Sequence, residues 1–253
     1  MDDDMLQAGP ALLPTLEPAL FSVARASTFA GTRRLTGASG FFFERESRLF
    51  YVTSRHVLFD EPSGHHPDRL ELAVHTDPVN LTRWASVSLD LYAKGKAVWR
   101  QGRDAGGEID VAAIELDRAA LPAGAVIRPL GTRHLPSDEM LEAPLGSALL
   151  VLGFPLGFYD TLHNLPVARN ATVASAFGVR FQGQGCFLTD ARMHRGSSGA
   201  PVMMRHLHDG VPGWKLLGIH SARFDMITRE VGVDDTLGLN CAWYPDILRT
   251  LTQ

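Results

Sequence analysis

Cysteine is scarce: Cys186 and Cys241 are the two in 253 residues. One pair is no disulfide framework of the kind that staples small secreted domains. Each sits inside an apolar segment, so both are expected as buried free thiols. An excess of basic charge is also missing. The chain carries 24 Lys+Arg against 28 Asp+Glu, a formal net charge of −4, which leaves no basic footprint and argues against nucleic acid as a partner. Long apolar runs are lacking too. The longest, residues 148–159, is broken by Gly153, Pro155 and Gly157 and falls short of the roughly 18 residues a membrane helix needs. The chain opens Met1-Asp2-Asp3-Asp4, acidic where a secretion signal carries a basic region. The apolar residues that follow are interrupted by Pro10, Pro14 and Pro18. These absences lead to the expectation of a soluble, cytoplasmic protein with no membrane partner.

Helical periodicity is equally rare, and what replaces it is strand pattern. Hydrophobic content of 45% and charged content of 21% are those of an ordinary globular protein. The 24 glycines and 15 prolines are spread along the chain, as many short strands joined by turns require. Aromatic or β-branched segments at 40–43, 49–53, 70–75, 85–89, 97–100 and 111–116 are separated by turn residues such as Glu61-Pro62-Ser63-Gly64. An irregular stretch, 117–144, reads as a connection. The pattern then resumes at 148–153, 170–177, 186–189, 200–204, 216–221 and 238–242. A helix is expected at 245–251, where proline suits the first turn and Ile247, Leu248 and Leu251 share a face. The reading is all-β, with two antiparallel six-stranded barrels or sandwiches. Its divisions are a lead segment (1–18), an N-terminal unit (19–120) and a C-terminal unit (121–253) that ends in the helix.

Chemistry is concentrated around His194-Arg195-Gly196-Ser197-Ser198-Gly199-Ala200-Pro201. Glycine permits backbone conformations that side chains forbid, so amide N–H groups can converge there on one point, as an oxyanion requires. A serine hydroxyl is a poor nucleophile until a base removes its proton, and the base needs a carboxylate to fix its tautomer. Of ten histidines, His65, His66, His206 and His208 lie in polar, Gly/Pro-rich stretches. The pair His206-x-His208 lacks the cysteine or acidic cluster that would complete a metal site. His56 instead follows an apolar strand, in Thr53-Ser54-Arg55-His56-Val57, where a side chain can project into a cleft. Asp110 opens an apolar strand, Asp110-Val111-Ala112-Ala113-Ile114-Glu115-Leu116, and a charge there is costly to bury without partners.

Together these segments resemble the chymotrypsin-like serine peptidases. Thr53-Ser54-Arg55-His56 resembles that family's Thr-Ala-Ala-His, Asp110-Val111-Ala112 its Asp-Ile/Val-Ala, and Gly196-Ser197-Ser198-Gly199-Ala200-Pro201 its Gly-Asp/Asn-Ser-Gly-Gly-Pro. Thr189-Asp190-Ala191 and the segment Gly153-Phe154-Pro155-Leu156-Gly157 are similar to the disulfide-free bacterial branch that includes the Deg-type proteases. The resemblance covers about residues 20–252 and leaves no room for the PDZ domain many Deg proteins carry. It implies a chymotrypsin-like double barrel, with Ser198 as nucleophile, His56 as general base and then acid, and Asp110 as orienting carboxylate. The N–H groups of Gly196 and Ser198 would form the oxyanion hole. Ser221 would bond the catalytic Asp, and the backbone from Ser221 to Arg223 would pair with substrate. Asp190 would support the loop. Arg55 stands where a small residue is usual, Ser197 where Asp or Asn is, and Ala200 where Gly or Ser is.

By the same resemblance, Arg192 falls at the base of the pocket for the side chain before the cleaved bond. His220 takes the place of a histidine that glutamyl endopeptidases and picornaviral proteases use to hold Glu or Gln. The resulting expectation is a serine endopeptidase without metal or cofactor, cleaving protein or peptide substrates after Glu, Asp or Gln. Two alternatives stay open: a latent protease switched on by a regulatory partner protein, and a silent protease-fold module that only binds peptides.

Overall fold

Three consecutive phenylalanines, Phe41, Phe42 and Phe43, and the run Leu49-Phe50-Tyr51-Val52 suit strands covered on both faces. The computed structural model describes residues 16–136, 143–208, 211–221 and 238–253. The N-terminal strands are β1 (Val23–Ala30), β2 (Arg33–Arg45), β3 (Arg48–Thr53), β4 (Arg69–His75), β5 (Trp84–Asp90), the short hairpin β6 (Tyr92–Ala93) and β7 (Lys96–Ala97), β8 (Trp99–Asp104), β9 (Gly107–Leu116) and β10 (Leu130–Gly131). The C-terminal strands are β11 (Ala148–Gly153), β12 (Val167–Thr172), β13 (Cys186–Thr189), β14 (Pro201–His208), β15 (Val211–Ser221) and β16 (Asn240–Trp243).

The first sheet runs β5-β4-β1-β2-β3-β9-β8, with β10 added parallel to β2. The second runs β12-β11-β14-β15-β16-β13. A bridge between Val173 and Thr189 joins its two ends. The fold is the chymotrypsin-like pair of curled antiparallel sheets.

The central strands explain the continuous apolar runs, because alternate residues of a strand face opposite ways. Phe41, Phe43, Phe50, Val52, Val111 and Ala113 turn toward the second sheet, meeting Leu152, Met203, Ile219 and Trp243. Their neighbours Phe42, Tyr51, Ala112 and Ile114 fill the interior of the first sheet. Val151, Phe187, Val202, Leu217 and Ala242 fill that of the second.

Each of the six segments expected in the second half falls on a strand. The first half carries more strands than expected: besides the short β6, β7 and β10 it includes β1, Val-Ala-Arg-Ala-Ser-Thr-Phe-Ala, whose centre, Ala24-Arg25-Ala26-Ser27, lacks the bulky residues that signal a strand. It occupies the middle of the sheet, where fully buried Ala26 lies opposite Ala38 and small side chains fit between close neighbours. The expected C-terminal helix divides into a 3-10 turn, Pro245–Ile247, and one α-helical turn, Leu248–Leu251. Leu248 and Leu251 close the core between the sheets.

Candidate active site

β3 ends at Thr53, and after extended Ser54 the chain forms a single α-helical turn, α1 (Arg55–Leu58). This turn carries His56 past the end of β3 to Asp110 of the neighbouring β9. The Asp110 carboxylate there takes three kinds of donor. Its Oδ1 accepts the His56 backbone N–H at 2.9 Å, and its Oδ2 accepts the imidazole Nδ1–H at 2.7 Å and the Ser221 hydroxyl at 2.6 Å. Burial alone would push this carboxyl's pKa up, but the charge of His56 and these hydrogen bonds outweigh it and hold it below the ordinary value. A carboxylate can only accept, so Nδ1 carries a proton, and in the neutral ring Nε2 is left with its lone pair. Nε2 lies 3.1 Å from Ser198 Oγ.

Backbone geometry brings Ser198 to that point. Gly196 and Gly199 have φ of +90° and +86°, left-handed conformations that favour glycine. At Gly199 a Cβ would stand 2.3 Å from the Ser39 carbonyl oxygen and 2.4 Å from Thr53 Oγ1, so a side chain has no room between the two sheets. The Gly199 N–H donates to the His220 carbonyl at 2.8 Å, and the Ala200 carbonyl accepts from the His220 N–H at 2.8 Å, tying the loop to β15. The Arg195 carbonyl accepts the Leu156 N–H at 2.5 Å. In a trans peptide the Gly196 N–H then points the opposite way. No acceptor among the described residues takes the Gly196 or Ser198 N–H.

His56, Asp110, Ser198 and Ser221 are therefore brought together. Arg55, the departure beside His56, forms an ion pair with Glu108 at 2.8 Å. Asp190 bonds the Thr172 N–H and hydroxyl at 2.6 and 2.9 Å, bracing the loop from β12. The Arg192 carbonyl accepts from the Arg169 guanidinium at 2.6 Å, while the Arg192 residue is exposed. His220 is fully buried, and among the described residues neither ring nitrogen has a hydrogen-bond partner. Its pKa is lowered to about 3, by burial first and by the charge of His56 second, against the opposing pull of Asp110. Arg223 lies outside the described residues. A polar cleft of about 230 Å³ opens beside His56 and Asp110, lined also by Arg55, Glu108, Gln184 and Trp243. Both cysteines are buried free thiols, and Cys241 sits opposite Ser221 in the sheet.

Sequence reasoning passed over Ser39. The available signal was a hydroxyl placed in the apolar run Ala38-Ser39-Gly40-Phe41-Phe42, where a buried polar group needs partners. Its partners are the backbone carbonyls of Gly196 and Ser198.

Comparison with known proteins supplies a family and a fold. The family described as Trypsin-like peptidase domain matches residues 38–208. No curated protein matches the sequence. Among solved structures, the serine endoprotease from Yersinia pestis superposes with a TM-score of 0.52 at 14% identity, covering 92% of this chain. The chain spans 62% of that endoprotease. At that identity the likeness is one of fold. The family match takes in Ser198 and the elements that carry His56 and Asp110, and on it the chain belongs to the trypsin-like peptidase domain family.

Proposed function

We propose that this chain is a serine endopeptidase that works through an acyl-enzyme, with Ser198 as nucleophile, His56 as base and acid, and Asp110 as orienting group. The observation that carries the reading is the continuous relay Asp110–His56–Ser198, at 2.7 and 3.1 Å, with the tautomer set by the carboxylate. Ser198 Oγ attacks the peptide carbonyl as Nε2 takes its proton. Negative charge builds on the carbonyl oxygen, where the unengaged Gly196 and Ser198 N–H groups stabilise it. The imidazolium, steadied by Asp110, then protonates the leaving amine, and water repeats the sequence on the acyl-enzyme. The backbone beyond Ser221 would hold extended substrate by strand addition.

Silent and latent readings fit less well. A peptide-binding module has no need of a histidine held in the basic tautomer. An inverted Gly196 peptide, the mark of latency, would direct the Arg195 carbonyl into the site, whereas here that carbonyl is held by Leu156.

Cleavage after Glu, Asp or Gln is the specificity proposed. The support for it is His220, a neutral ring with no hydrogen-bond partner among the described residues and one N–H to donate, and the exposed cation of Arg192. Digestion of a proteome-derived peptide library, with Ser198→Ala as control, tests both levels. Cuts lost in Ser198→Ala support the endopeptidase reading. Cuts after only small aliphatic or basic residues would refute the acidic and amide preference. An intact wild type that neither cleaves the library nor reacts with a fluorophosphonate would refute the active-enzyme reading.

A further inference from the structure

We propose that Ser39 is a positioning residue, the point through which the N-terminal sheet sets the orientation of the oxyanion peptide in the C-terminal sheet. The inference rests on the serine endopeptidase reading for its catalytic consequence, but its structural part stands alone. Ser39 lies on β2, fully buried, and every polar atom it has is directed at this junction. Its hydroxyl donates to the Gly196 carbonyl at 2.7 Å and accepts the Phe154 N–H at 2.9 Å. The Ser39 N–H donates to the Ser198 carbonyl at 3.1 Å. The Ser39 carbonyl accepts the Thr53 hydroxyl at 2.8 Å, at the end of the strand that leads to His56. One residue thus touches the backbone on both sides of Ser197, the segment that precedes β12 and the strand that carries the base.

The mechanical consequence follows from Gly196. Its N–H belongs to the peptide plane shared with Arg195, and its carbonyl to the plane shared with Ser197. Both planes pivot on a glycine Cα at φ +90°, which offers little resistance to rotation. The first plane is held at its carbonyl by Leu156, and the second at its carbonyl by Ser39. Phe154, also bonded to Ser39, supplies the carbonyl that lies 2.6 Å from where a Gly196 Cβ would be. Without the Ser39 hydroxyl, the buried Phe154 N–H and the half-buried Gly196 carbonyl lose their partner among the described residues. The loop then gains by turning them toward new partners. The His56–Asp110 pair is not bonded to Ser39 and keeps its geometry.

The test compares wild type with Ser39→Ala, Ser39→Cys and Ser22→Ala. Ser22 is a buried control whose hydroxyl bonds the Arg128 carbonyl at 2.5 Å, away from the nucleophile loop. Hydrogen–deuterium exchange of peptides covering residues 194–200 reads the clamp without reference to activity. It should quicken in Ser39→Ala, less in Ser39→Cys, and stay at the wild-type rate in Ser22→Ala. Labelling by diisopropyl fluorophosphate reads the oxyanion hole. It should slow by about 10²-fold in Ser39→Ala, the size of losing one oxyanion donor, with the labelling rate keeping its wild-type midpoint in pH because the base is untouched. Unchanged exchange in residues 194–200 overturns the proposal. So does an equal loss of labelling in Ser22→Ala, which would mark a general loss of stability. A wild type that resists the reagent refutes the endopeptidase reading, and exchange then decides the clamp by itself. If Ser39→Ala does not fold, the same two measurements on Ser39→Cys decide it.

Discussion

Replacing His220 by leucine removes a buried titratable ring and substitutes an apolar side chain of similar bulk. The folded protein holds this imidazole neutral, with a pKa lowered to about 3, whereas an unfolded histidine takes up a proton near 6.5. The unfolded chain is then the stronger proton binder. The stabilisation from keeping this group neutral is whole above pH 6.5 and declines as pH falls from there toward 3. The slope is about 1.4 kcal/mol per pH unit, so the loss reaches about 2 kcal/mol at pH 5. Asp110 is depressed as well, but a depressed carboxylate surrenders stability only below its ordinary value near 4, outside this window. At pH 8 a second effect appears alone: two buried ring nitrogens without partners among the described residues, at about 1–3 kcal/mol for an unsatisfied group. The assay is urea unfolding of wild type and His220→Leu at pH 8, 7, 6 and 5, at constant ionic strength. The variant should be at least as stable at pH 8, and its advantage should widen by about 2 kcal/mol between pH 7 and pH 5. Histidines common to both proteins cancel in the difference. A gap that does not change with pH would refute the assignment of His220 as a buried neutral ring.

Three further outcomes follow from the same geometry. Asp110→Asn leaves an amide that can donate to Nδ1 and so favours the wrong tautomer of His56; fluorophosphonate labelling should fall about 10⁴-fold, as that substitution does in the Ser-His-Asp template, and a loss under tenfold would contradict the orienting role. Ser221→Ala removes a hydrogen bond to a charged acceptor, about 1.5–3 kcal/mol; a tenfold or greater drop in labelling is expected, and an unchanged rate would show that the His56 contacts alone hold Asp110. Gly199→Ala puts a side chain at φ +86°, about 1–2 kcal/mol, and drives its Cβ into the Ser39 carbonyl, about 1–3 kcal/mol more. Urea unfolding should show a loss of about 2–5 kcal/mol, against which a change below 1 kcal/mol would argue that the two sheets separate easily at this point.

What could be read from the residues alone, and what could not, divides along the distance over which each signal acts. Strands such as β3 and β9 declare themselves because both faces are covered, which writes an unbroken apolar run into a few adjacent residues. β1 does not, because its centre packs Ala26 against Ala38, and alanine carries no strand signature of its own. His56 and Asp110 stand out as polar groups at the ends of apolar strands, a local contradiction that points to chemistry. His220 could be assigned a role by resemblance, but its burial depends on how β15, β16 and the loop at 194–200 close around it. Ser39 is the limiting case. Its partners are 115 and 157 residues away in the chain, so nothing near it in sequence says why a hydroxyl belongs there. The proposed catalytic groups are thus legible as polar residue types beside apolar runs, while Ser39, which bonds the Gly196–Ser198 loop, becomes legible only when the two sheets meet. That division has a physical reason. Reactivity is carried by the side chain itself, whereas alignment is carried by where distant backbone carbonyls end up, and those positions are a property of the whole fold.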